Sequence, residues 1–77
     1  MGLFGSKTVT DKILYKLAMP YHPGMDRAIN QLYFTKGIKG VRFQGLSTVE
    51  IEYEPSRLTR GDVDQLLDNG LDATPKS

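Results

Sequence analysis

Apolar and polar positions alternate with a period of two along three stretches of the chain. Ile13, Tyr15 and Leu17 interleave with Leu14, Lys16 and Ala18, which predicts a strand over residues 12–19. Pro20 ends it, because proline has no N–H to give to a sheet ladder. A second strand is expected over residues 38–44, with Val41 and Phe43 on one side. The third, over residues 48–54, includes Val49-Glu50-Ile51-Glu52-Tyr53-Glu54, a strict alternation of apolar and acidic side chains. Such a strand keeps one face in a core and the other in water. Gly45-Leu46-Ser47 supplies the turn before it, and Pro55 closes it.

The period becomes helical in two places. From Pro23 or Gly24 to Thr35, the residues Ala28, Leu32 and Thr35 share a face, with Met25 and Ile29 beside it. Lys36 suits the negative end of that helix, and Gly37 stands just past it, where a left-handed residue is often required. The second helix starts at Thr59, an N-cap, and Asp62 adds negative charge to its first turn. Val63, Leu66 and Leu67 form its inner stripe, and Asn69-Gly70 is expected to end it. Leu71-Asp72-Ala73 then predicts a short last strand.

The order strand, helix, strand, strand, helix, strand predicts an α+β fold. The economical arrangement is a ferredoxin-like βαββαβ sandwich, a four-stranded antiparallel sheet with both helices on one face. Residues 11–74 would form this domain, after a flexible leader of residues 1–10 and before a tail of residues 75–77.

The length, 77 residues, holds one domain and not two. There are no cysteines, so disulfides and thiolate metal sites are excluded, and a reducing, cytoplasmic setting is expected. Ten basic residues stand against nine acidic ones with no block of like charge, which argues against nucleic acid as a partner. No apolar run approaches the roughly 20 residues of a membrane span. The start, Met1-Gly2-Leu3-Phe4-Gly5-Ser6-Lys7, lacks the order of a signal peptide. Gly2 with Ser6 does match the loose pattern for an N-terminal lipid anchor; the plainer reading is a leader with two apolar residues.

Several motifs, in order, resemble the heavy-metal-associated domain of copper chaperones and metal-transporting ATPases. Tyr15-Lys16-Leu17-Ala18-Met19 is similar to the end of that family's first strand. Leu32 with Gly37-Ile38, Val41 with Phe43, and Val49, Ile51, Tyr53 and Pro55 follow its helix and next two strands. Leu58-Thr59, Val63 and Gly70-Leu71-Asp72-Ala73 resemble its closing part. The resemblance implies the same fold and a Met19 that packs inward beneath the metal loop. It departs at the site itself: Tyr21 and Gly24 stand where the family has its two cysteines. Gln31 and Thr35 also replace apolar residues, and the turn after the second strand is about one residue short. Soft-metal delivery on a thiolate pair, with Cu(I) as its cargo, is thereby excluded.

What remains in the loop is harder chemistry. His22, the one histidine, offers an imidazole, and Tyr21 offers a phenol that a strong Lewis acid could deprotonate. Both residue types serve as axial ligands of haem iron. The candidate set is Tyr21 and His22 for a haem or transition metal ion, with Met25 and Asp26 as further metal ligands. One histidine is few for a metal site, although a homodimer would double the ligands. No nucleophile-base-orienter set is evident, so an enzyme is not expected. The open sheet face should show Leu14, Lys16, Arg42, Glu50 and Glu52, without the central aromatics that an RNA-binding sheet uses. Two readings stay open: a small domain that carries a metal or haem through Tyr21 and His22, and a metal-free protein-interaction module. Tyr33 and Phe34, if both face outward, favour the second.

Overall fold

The strict alternation around Ile51 becomes the centre of a sheet. In the computed structural model, which describes residues 9–76, β1 is Asp11–Leu17, β2 Ile38–Phe43, β3 Thr48–Tyr53 and β4 Ala73–Pro75. Helix α1 spans Asp26–Tyr33, preceded by a 3-10 turn at Pro23–Met25, and α2 spans Arg60–Leu71. The strands form one antiparallel sheet in the order β2-β3-β1-β4. The fold is thus α+β, with four antiparallel strands and two helices, as the pattern predicts.

Register follows the apolar sets. Ile13 faces Ile51 and Tyr15 faces Val49 across β1 and β3, while Val41 and Phe43 face Ile51 and Val49 from β2. Ile13, Tyr15, Leu17, Val49, Ile51 and Tyr53 are all buried and share one core with Leu32 of α1 and Val63, Leu67 and Leu71 of α2. Burying each such side chain contributes roughly 1.5–3 kcal/mol. On the opposite face Arg42 stands across from Glu50, and Lys12 across from Glu52, so the solvent side pairs opposite charges across strands.

The helix signals are realised at one end and displaced at the other. Thr59 Oγ1 accepts a bond from the Asp62 amide at 3.1 Å, and Asp62 Oδ2 accepts one from the Thr59 amide at 3.0 Å, a reciprocal cap. The expected stop at Asn69-Gly70 comes two residues later: α2 continues to Leu71, and Asp72 takes the left-handed conformation at φ 51°. The reason is burial, since the extra length seats Leu71 in the core. After α1, Gly37 adopts φ 99°, and a Cβ there would lie 2.7 Å from Leu58 Cγ, so both conformation and close packing call for glycine.

Other boundaries also differ from expectation: α1 ends at Tyr33 and not Thr35, and the two middle strands each end one residue early. Strand β1 stops at Leu17, where its partners run out: the Leu17 amide bonds Ser47 O at 2.8 Å and the Ala18 amide bonds Asp72 O at 3.2 Å, each just outside the neighbouring strands. Met19 therefore leaves the core and is 57% exposed, contrary to the inward position that the resemblance implies. The last strand is Ala73–Pro75 and not residues 71–73; Thr74 and Pro75 pair with Lys16 and Tyr15, and the Lys76 amide bonds Leu14 O at 2.8 Å. Of the expected leader, Thr10 is tied to the sheet by a 2.6 Å bond from Oγ1 to Glu52 Oε2. Gly2, Leu3, Phe4 and Ser6 lie outside the described residues. None of the described helices is long and apolar enough to cross a membrane.

Candidate functional site

The loop between β1 and α1 is pinned from two sides. The Tyr21 amide bonds Leu46 O at 2.7 Å, so the loop hangs on the turn between β2 and β3. His22 then opens the 3-10 turn in extended conformation, and the Met25 amide bonds its carbonyl at 2.9 Å. Pro23 lies in the first turn of this helix, where a missing N–H costs nothing.

Of the four candidate ligands, the structure brings Tyr21 and Asp26 together, while His22 turns to the Gly24 amide and Met25 to the core. His22 Nδ1 accepts the Gly24 amide at 3.1 Å. An imidazole that accepts at Nδ1 carries its proton at Nε2 when neutral, so its outward nitrogen has no lone pair. Metal ligation there would require the proton to move and the Gly24 bond to break. Gly24 also makes room for this ring, since a Cβ at position 24 would lie 2.7 Å from His22 Cε1. Tyr21 donates its phenolic hydrogen to Asp26 Oδ1 at 2.6 Å. That bond, with some desolvation and the Asp26 charge, raises the phenol above the usual tyrosine range, which opposes the phenolate that ferric iron or haem would need. Met25 is buried in the core. Among the described residues, no three His, Asp or Glu side chains gather where they could hold a metal ion. The residues present do not fit a metal ion or haem.

What the loop does build is an apolar hollow. Tyr21, Ile29, Tyr33, Phe43 and Leu46, with Asp26, line a cavity of about 310 Å³ between α1 and the edge strand β2. That size is near the lower bound of small-ligand pockets, roughly 300–1,000 Å³, and suits one large side chain. The Tyr21 and Phe43 rings meet edge to face, centroids 5.2 Å apart and planes inclined at 66°. Tyr33 is half exposed, as expected for an outward residue, but its hydroxyl donates to Val41 O at 2.9 Å. It thereby occupies a carbonyl on the open edge of the sheet. Phe34 is 87% exposed.

The sequence reading placed Tyr21 and Asp26 in this region and missed Ile29, Phe43 and Leu46 as its walls. Their one shared signal is that each lies in or next to an element that ends beside the loop. The hollow exists only because α1 packs against β2, which no local pattern reveals. No family model matches the chain, and neither a curated protein nor a solved structure matches it.

Proposed function

We propose that the chain is a non-enzymatic, metal-free protein-interaction module on a ferredoxin-like frame, similar to a heavy-metal-associated domain whose loop has changed its task. The strand order β2-β3-β1-β4, with a β1-α1-β2 connection that passes over β3, supports the ferredoxin-like reading. The observation that carries the functional reading is the aromatic hollow beside the loop, to which Tyr21, one of the two residues standing at the resembled family's cysteine positions, contributes a wall.

The partner that suits it is a peptide segment with a cationic side chain flanked by apolar ones. Among the described residues, Asp26 is the only charged one that lines the hollow, and no Lys or Arg forms an ion pair with it. A cation would meet a carboxylate, and its apolar neighbours would meet Ile29 and Leu46. The metal or haem reading is disfavoured by the bonds that already occupy His22 Nδ1 and the Tyr21 phenol.

Titration of isotope-labelled protein with short Lys- or Arg-containing apolar peptides tests this reading. Amide shifts should cluster at Tyr21, Ile29, Tyr33, Phe43 and Leu46, and Leu46→Asp should remove them. A haem or transition-metal spectrum that disappears in His22→Ala or Tyr21→Phe would overturn the reading in favour of the carrier.

A further inference from the structure

We propose that the Tyr21–Phe43 corner is a receptor for an alkylated ammonium head, the group carried by a methylated lysine on a partner protein. This rests on the interaction reading and names what the hollow recognises. The Tyr21 and Phe43 rings pack edge to face, centroids 5.2 Å apart and planes inclined at 66°, and both line the cavity. Tyr33 supplies a third aromatic wall. Ring faces carry partial negative charge and attract a cation, most strongly one that water holds loosely.

The polar groups point to the same ligand by what they have already spent. The Tyr21 hydroxyl gives its hydrogen to Asp26, and the Tyr33 hydroxyl gives its hydrogen to Val41 O. Among the described residues, no other side chain that lines the cavity is a hydrogen-bond donor. An anion or a carbonyl-bearing ligand would therefore find no side-chain donor. A positive group finds the Asp26 carboxylate and three aromatic rings.

The degree of alkylation follows from desolvation. An unmodified lysine ammonium has three N–H groups and is strongly hydrated. Among the described residues the Asp26 carboxylate is the one charged acceptor here, and an ammonium that settles against Tyr21, Phe43 and Leu46 exchanges some of its water for apolar surface. A trimethylated head has no N–H to satisfy and offers methyl groups to Ile29 and Leu46. The same hollow then binds the methylated side chain in preference to the plain one.

The probes are choline, its neutral carbon isostere 3,3-dimethylbutan-1-ol, and one short apolar peptide with its lysine either unmodified or trimethylated. Binding is read from amide shifts of the labelled full chain. Choline and the trimethylated peptide should move the same amides at Tyr21, Ile29, Phe43 and Leu46. The trimethylated peptide should bind about tenfold tighter than the unmodified one, and the isostere about tenfold weaker than choline. Tyr21→Leu and Phe43→Leu should each abolish the preference for charge, with thermal unfolding showing that both variants fold. Asp26→Asn should weaken choline without moving the neutral isostere.

Equal binding of choline and its isostere would sink the cation receptor and leave a plain apolar docking groove standing. Choline binding with no response to either peptide would overturn the protein-borne source. If neither these probes nor cationic apolar peptides move the cavity amides, the interaction reading falls with it.

Discussion

Removing the hydroxyl of Tyr15 probes the join between sheet and helix. Tyr15 lies in the middle of β1, has 0% exposure, and donates to Asp64 Oδ1 on α2 at 2.6 Å. Tyr15→Phe keeps the ring and opens no large cavity, so the loss is the hydrogen bond itself. A hydrogen bond to a charged acceptor contributes about 1.5–3 kcal/mol, and half-buried Asp64, which keeps access to water, places this one near the lower limit. For a domain of this size 1 kcal/mol moves the midpoint by about 4–8 °C, so a loss of roughly 6–12 °C is expected. Burial, then the bond to Asp64, then the charge of Asp64 push the Tyr15 phenol far above its ordinary value. The fold therefore holds a proton that the unfolded chain releases above about pH 10. Above that pH the unfolded state binds fewer protons than the folded state, and stability falls as pH rises. The limiting slope for this one proton is about 1.4 kcal/mol per pH unit. Urea unfolding followed by circular dichroism, from neutral pH to about pH 11.5, reads both effects. The wild-type chain should be more stable at neutral pH, and the two profiles should converge as pH climbs. Parallel profiles, or a variant as stable as wild type at neutral pH, would refute the reasoning.

Three other substitutions follow from single contacts. Gly37→Ala forces a Cβ into a left-handed backbone 2.7 Å from Leu58 Cγ and should cost about 2–4 kcal/mol in urea unfolding. Thr59→Ala removes one half of the reciprocal cap on α2 and should cost about 1 kcal/mol, with loss of hydrogen-exchange protection confined to the first turn. Gly24→Ala should drive the exposed His22 ring off its amide at a cost of about 1 kcal/mol, since a flexible side chain can give way. Nitrogen chemical shifts of His22 should then report loss of the fixed Nε2–H tautomer; an unchanged tautomer would contradict the Gly24 bond.

The parts of this fold that were legible in the sequence are those in which neighbours along the chain decide the outcome. Val49 to Tyr53 alternate because each residue sees only its own side of β3, and the buried set is the alternating set. Thr59 and Asp62 satisfy each other's amides across three residues, so a short pattern contains the whole interaction. Gly37 is similar, since its backbone angle is demanded by the turn. The errors arise where distant contacts outweigh local preference. Gly70 is a good helix terminator, yet the core contact of Leu71 carries the helix past it, and Asp72 accepts the left-handed position instead. Met19 leaves the core because the strands on either side begin too late to pair with it: the last rungs of β1 are the bonds of Leu17 and Ala18 to Ser47 and Asp72.

The candidate site obeys the same division, and there it changes the chemistry. Tyr21, His22 and Asp26 look like ligands as residue types, because ligation is judged by lone pairs and protons. In the fold, Asp26 accepts the hydrogen bond of the Tyr21 hydroxyl, and His22 Nδ1 accepts that of the Gly24 amide. The loop's polar atoms thus satisfy one another, and its aromatic surface is left to act. Phe43 makes that surface a corner only because β2 brings it within 5.2 Å of Tyr21, while Tyr33 stays at the wall by bonding Val41 O. What remains at the surface is an aromatic hollow with one carboxylate, the feature behind the proposed preference for a cation. Its chemistry therefore follows from which hydrogen bonds are already made, and that information enters only with the packing of α1 on β2.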